Sequence, residues 1–273
     1  MNRFGLLFLA ISVFALVPYQ RMYAQQDSSG YCDASVVWGD AKTAWHDGVD
    51  IFTAPFHFTQ PQWMETGVIL GGTAALFTLD RSVRLVALRN QSLLADNVFT
   101  IGRNYGVATY GIAFSGGVYV GGLLFRSGDL RETGLALLES IAFAGIITSV
   151  VKSVVGRSRP FVEEGPFRFR GMQFKDETTS FPSGHPTVAF AISSVLSRKI
   201  KNTWASIGLY ALATLTAVSR VYDDEHWTSD VFLGAAIGNA MGIAVTDLHQ
   251  REDGKASFRL TPSLNGLRAE LIF

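Results

Sequence analysis

The sequence predicts an all-α protein, a helical bundle of about six core helices with a short β-hairpin at its C-terminus. Three observations carry that reading. Apolar stretches recur at 68–79, 106–125, 133–151, 187–196, 204–218 and 231–245, each long enough for several helical turns. The early breaks are short and charged, with Asp80, Arg81 and Arg84 in one and Arg126, Asp129 and Arg131 in another. Apolar helices joined by short connections are the pattern of a bundle. Finally, 257–261 and 267–271 alternate apolar and polar residues around Asn265-Gly266, which is a hairpin signal.

Residues 1–24 read as a targeting segment that directs export to the periplasm or cell envelope. Arg3 gives a positive start, an apolar run follows, and small Ala24 precedes polar Gln25-Gln26-Asp27. Residues 25–62 form an aromatic arm, with Trp38, Trp45, Phe52, Phe56 and Phe58, expected as a helix or two lying on the main body. The bundle spans 63–249 and the hairpin tail 250–273. Cys32 is the sole cysteine, so no intrachain disulfide forms. Formal net charge is +0, leaving no global field for nucleic acid, and anion recognition has to be local.

Stretch lengths lean toward a soluble or peripheral bundle, because only 106–125 reaches the roughly 20 residues a span needs. Glu139 also interrupts 133–151. With residue 25 outside, three successive spans would put Lys152 inside and the basic cluster Arg198, Lys199 and Lys201 outside, against the positive-inside tendency. A soluble exported bundle removes that conflict, and so does a retained N-terminus with another span count.

Three segments hold the candidate chemistry. The first, 152–160 (KSVVGRSRP), supplies Lys152, Arg157 and Arg159. Fixed cations lower the barrier to phosphoryl transfer by holding its equatorial oxygens. Taken alone, Lys152 reads as a solvated helix end, and Arg157 as a residue behind the site or at the surface. The second, 182–185 (PSGH), reads as a helix start. Ser183 is an N-cap candidate, Gly184 lets an anion approach free amides, and His185 stands in the first turn. An ordinary capped helix explains the same tetrapeptide.

The third segment, 219–230, is the most specific. His226 and Asp230 are four apart and share a face if a helix begins near His226. Asp230 would then accept a hydrogen bond from one ring nitrogen and free the other to attack phosphorus. Arg220 could return across the loop to the same anion. Asp223, Asp224 and Glu225 read as a solvated charge run. His46, His57 and His249 are expected to be structural. No zinc spacing, carboxylate motif or P-loop is found, so neither metal nor other cofactor is expected.

These segments resemble the type 2 phosphatidic acid phosphatase family, related to bacterial non-specific acid phosphatases and vanadium haloperoxidases. The family's K-x6-R-P matches Lys152 to Arg159-Pro160, its P-S-G-H matches Pro182 to His185, and its S-R-x5-H-x3-D matches Ser219-Arg220, His226 and Asp230. The resemblance covers roughly 63–247. It implies a metal-free phosphatase in which His226 becomes a phosphohistidine, Asp230 orients it and His185 protonates the leaving alkoxide. Lys152, Arg159, Arg220, Ser183 and the Gly184 amide would hold the phosphate. A lipid phosphate is the favoured substrate, with membrane association, and a small phosphate ester the other. A soluble exported acid phosphatase, a vanadate-dependent haloperoxidase and a silent envelope bundle remain alternatives.

Overall fold

The computed structural model describes residues 34–172, 174–252, 257–263 and 266–272. The expected targeting segment and Cys32 lie outside the described residues. Nine α-helices are present among them: α1 (Ala34–Thr53), α2 (Gln60–Phe77), α3 (Asp80–Arg89), α4 (Leu93–Tyr105), α5 (Ala108–Leu124), α6 (Gly128–Val155), α7 (Gly184–Ile200), α8 (Thr203–Tyr222) and α9 (Thr228–Glu252). The expectation of about six core helices is thus too low. Helix α1 is the helix expected in the aromatic arm; the unexpected ones, α3 and α4, are amphipathic and interrupted by charge, so a search for unbroken apolar runs passes over them.

Local chemistry sets the helix ends. Thr59 and Gln62 form a reciprocal capping box at α2. The side chains of Ser92, Ser127 and Asn202 cap α4, α6 and α8. Helix α6 stops at Gly156, which takes a left-handed conformation that favours glycine.

Helix α7 runs through the centre, burying Val188, Ala189, Ala191, Ile192, Val195 and Leu196. Leu137 and Ile141 of α6 and Val245 of α9 complete the core around it. Helix α9 meets α7 backbone to backbone. A Cβ at Gly234 would lie 2.3 Å from the Ser183 carbonyl, and one at Gly238 would lie 2.1 Å from that of Thr187. No side chain other than hydrogen fits there.

The bundle itself holds no β-strand, so the hairpin read from the tail is not part of the fold. The backbone of Ser257–Ser263 and Gly266–Ile272 runs as an antiparallel pair beyond it.

Among the described residues, two helices are long and apolar enough to cross a membrane, Gly128–Val155 and Thr228–Gln250. The pair α4 and α5, bent by 53°, passes the same test as one broken span. This corrects the lean toward a soluble bundle. Helix α6 continues past both ends of its apolar stretch, and the buried Glu139 does not break it. Apolar side chains also face outward: Ile146, Val150 and Val154 form a strip on α6, while Leu93 is 84% and Trp204 80% exposed. Outward apolar faces of this extent match a lipid surround.

Candidate active site

The three segments converge where α6 ends and α7 and α9 begin. Loop 223–227 is closed by the Arg220 carbonyl, which accepts from the amides of Glu225 (3.1 Å) and His226 (3.2 Å). Arg220, in the last turn of α8, is thereby tied to His226. Helix α9 starts at Thr228, so His226 stands just before it rather than in its first turn.

His226 is buried, and its Nδ1 lies 2.8 Å from the Ser180 carbonyl. A carbonyl only accepts, so Nδ1 carries the proton and Nε2 keeps a free lone pair. Asp230 Oδ2 is 3.7 Å from the same Nδ1. The direct orienting bond therefore comes from Ser180, while Asp230 supplies a buried negative charge alongside. Asp230 is itself held on all sides. Its Oδ2 accepts from Ser180 Oγ (2.5 Å) and the Trp227 amide (2.9 Å), and its Oδ1 from Arg157 Nη1 (2.5 Å). The Trp227 bond is the side-chain-to-backbone half of a capping box at the start of α9.

Arg157 is fully buried and not at the surface. Beyond Asp230, it donates to Ser229 Oγ (2.7 Å), Asp80 Oδ2 (2.7 Å) and the Pro166 carbonyl. Its guanidinium stacks 4.2 Å from the centre of the Phe77 ring. Asp80 in turn accepts from the amide and hydroxyl of Ser229. Asp80, Ser180 and Ser229 escaped the sequence reading. Asp80 registered there only as a charged break, and no spacing links it to a residue 149 positions on.

The cations and the acid surround this core. Lys152 Nζ donates to the Thr179 carbonyl at 2.6 Å. Arg159 bonds the Asp176 carbonyl (2.8 Å) and carboxylate (2.5 Å) and also pairs with Glu225. Arg220 pairs with Asp223 at 3.0 Å, yet its buried Nε has no partner. Ser183 occupies the N-cap position of α7, but its buried hydroxyl makes no cap bond and no other. Two donors are thus uncommitted beside the free first-turn amides of α7, a suitable cradle for an anion.

His185 lines a cavity of about 270 Å³ together with Gly106, Gly145, Thr148, Lys152 and Thr187. Residues 223–225 are not the solvated run expected. Asp224 grips Arg84 with both oxygens, Asp223 bridges Arg103 and Arg220, and Glu225 reaches Arg159. The loop folds beneath arginines from three other segments, so its acids neutralise them. Segment 161–179 is tied to the preceding turn: Ser158 bonds Arg168 and Gly156 bonds Arg170 through the backbone, laying Phe169 over Arg157.

Both imidazoles are neutral near pH 7. Burial pushes His226 down to about 3, with Lys152 and Arg159 adding to it against the pull of Asp230. Burial, then Arg220, Lys152 and Arg159, push His185 down to about 4. The unfolded chain binds protons at both positions below about pH 6.5, whereas the folded chain resists them. The two groups therefore leave stability intact above pH 6.5 and erode it as pH falls toward 4. The slope reaches at most about 1.4 kcal/mol per pH unit for each group. Thermal unfolding of the detergent-solubilised protein is expected to move to lower temperature between pH 7 and 5, with a shallower decline in His226→Gln. An equal decline in both proteins would contradict the burial argument.

A family model described as PAP2 superfamily matches residues 133–253, which include every residue of the three segments. The chain is 33% identical over 98 residues to a lipid A 1-phosphatase of Porphyromonas gingivalis, covering 34% of this chain and 22% of that protein. It is 34% identical over 139 residues to lipid phosphate phosphatase 2 of Arabidopsis thaliana, covering 40% and 48%. The chain thus spans less than half the length of either relative. Among solved structures, a transmembrane PAP2-type phosphatidylglycerolphosphate phosphatase from Bacillus subtilis superposes with a TM-score of 0.53 at 20% identity, over 81% of this chain and 97% of that one. That likeness concerns the fold.

Proposed function

We propose, from the match of residues 133–253 to the PAP2 superfamily, that this is a metal-independent, membrane-embedded lipid phosphate phosphatase acting through a phosphohistidine. The observation that carries this reading is the neutral His226, its Nδ1–H committed to Ser180 and its Nε2 free, among Lys152, Arg159 and the buried charge of Asp230.

In the first step Nε2 of His226 attacks phosphorus, forming a P–N bond as the P–O bond to the leaving group breaks. Asp230 stabilises the imidazolium that results. Lys152, Arg159, Arg220, the Ser183 hydroxyl and the Gly184 amide hold the equatorial oxygens. Arg159 and Arg220 present forks suited to two oxygens each. His185 has a depressed proton affinity that a bound phosphate dianion would raise, and it gives its proton to the leaving oxygen. In the second step it takes a proton from water as the water attacks phosphorus and the P–N bond breaks. The cavity beside His185 then receives the leaving group.

A lipid carrier is supported by the names of the relatives and by the outward apolar faces of the bundle. Exposed Phe167, Met172 and Phe174, next to the strand-like turn over Arg157, add an apolar rim to the site. The spans argue against the soluble acid phosphatase reading. Arg198, Lys199 and Lys201 stand at the end of α7 opposite His185. By the positive-inside tendency the site then faces the outer side of the membrane.

The deciding experiment compares phosphatidic acid, phosphatidylglycerophosphate, polyprenyl pyrophosphate, lipid A and p-nitrophenyl phosphate on the purified protein. Lipid substrates are expected to exceed p-nitrophenyl phosphate in kcat/KM, with inhibition by vanadate and indifference to EDTA. Equal or greater turnover of the soluble ester would overturn the lipid assignment, and loss of activity in EDTA the metal-free mechanism. In the same panel His185→Ala should hurt the poorest leaving groups most, and a uniform loss would remove it as the acid. Intact cells should hydrolyse an impermeant ester if the site faces outward.

A further inference from the structure

A second cluster of ionisable groups lies buried in the opposite half of the bundle. Asp47 of α1, Glu139 of α6 and His249 of α9 are 3%, 4% and 4% exposed. His249 Nε2 stands 2.8 Å from Glu139 Oε2 and 3.2 Å from Asp47 Oδ2. Glu139 is thirteen residues before Lys152 on the same helix, about 20 Å along its axis. The catalytic reading uses none of the three.

The cluster is poorly satisfied by its own members. One imidazole nitrogen carries at most one proton, and it faces two carboxylates. Asp47 Oδ2 and Glu139 Oε1 are buried without a hydrogen-bond donor. Among the described residues, neither acid pairs with a lysine or arginine. With both acids ionised, even a fully protonated His249 leaves a net negative charge in a buried place, which is costly. Helix α6 is long and apolar enough to span a membrane, where an ionisable side chain is costlier still.

A divalent cation resolves both problems, bringing the missing positive charge and accepting all three donors at once. The spacing suits it. One donor atom from each residue lies within 4.8 Å of the others. Ligand atoms about 2.0–2.1 Å from a tetrahedral ion stand roughly 3.3 Å apart. The observed 3.2 Å matches that figure, and the observed 2.8 Å falls about half an ångström short of it. One imidazole and two carboxylates are the hard-to-borderline donors that first-row transition ions accept.

We propose that Asp47, Glu139 and His249 bind a divalent first-row transition ion, with Zn²⁺ as the reference, which fastens α1 to α6 and α9. The site is separate from phosphoryl transfer. Its role is to hold α1 in place.

The test uses the full chain in detergent, stripped with a chelator and dialysed. Zn²⁺ content after reloading and desalting is expected to be one per chain. The thermal midpoint is expected to rise by roughly 5–10 °C at a hundredfold excess of Zn²⁺ over Kd. Asp47→Asn, chosen because α1 is peripheral, should weaken Zn²⁺ binding at least about tenfold and remove the midpoint shift. The double variant Asp47→Asn/Glu139→Gln should bind none. Phosphate release should match wild type in the stripped protein and in Asp47→Asn. A midpoint unmoved by Zn²⁺, or Zn²⁺ retained equally in the double variant, would overturn the site. Neither result bears on the phosphatase reading, which is tested by turnover.

Discussion

His226→Ala is expected to lower phosphate release by on the order of 10⁴-fold or more while the protein stays folded. The loss is large because the side chain would form the new bond to phosphorus, and no other described imidazole stands with one nitrogen committed to a carbonyl and the other free beside cations. Removing a buried neutral imidazole leaves a cavity rather than an unpaired charge. Asp230 keeps its bonds to Arg157, Ser180 and the Trp227 amide. A colorimetric phosphate assay, with circular dichroism as the folding control, checks the outcome. Wild-type turnover in a folded variant would end the nucleophile assignment.

Arg157→Ala is expected to be the most destabilising single change around the site, by about 3–5 kcal/mol, because it strands buried charges. Asp80 and Asp230 are both fully buried and both lean on this guanidinium. The Pro166 carbonyl loses its donors as well, and the Phe77 ring loses its cation. Arg157→Lys should recover only part of the loss, since an ammonium cannot span the two carboxylates, Ser229 and Pro166 with a planar fork. Chemical or thermal unfolding in detergent measures it. An alanine variant as stable as wild type would show that the carboxylates find other partners.

The sequence made the candidate reacting residues legible and the scaffold behind them illegible, for a physical reason. Lys152, Arg159, His185, Arg220, His226 and Asp230 sit in three short segments whose internal spacing is set by local turns. Arg157, by contrast, read only as a residue behind the site or at the surface, because its partner Asp80 is 77 positions away and belongs to an amphipathic helix. Ser180 offered no signal, since its bond to His226 runs through the main-chain carbonyl, which every residue has, and its hydroxyl reaches Asp230, 50 positions on. The acids 223–225 looked solvated because charge runs are so by default. Their arginine partners come from α3, α4 and the 156–159 turn, which only the fold brings near. The spans were under-read for a related reason: Glu139 looks like a break in an apolar stretch, and only burial beside His249 shows the helix passing through it.

The glycine contact between α7 and α9 bears on how the site tolerates change. His185 rides on α7, and Asp230 sits at the head of α9, where its carbonyl accepts from the Ser183 amide at 2.9 Å. Between Gly234 and the Ser183 carbonyl there is room for a hydrogen atom and nothing more. The reach from the proposed acid to the proposed nucleophile is therefore gauged by the thickness of two main chains, not by interlocking side chains. Drift in the apolar core, or a bilayer of different thickness, would alter the stability of this protein long before it altered the distance across which, in the proposed mechanism, a proton and a phosphoryl group change hands.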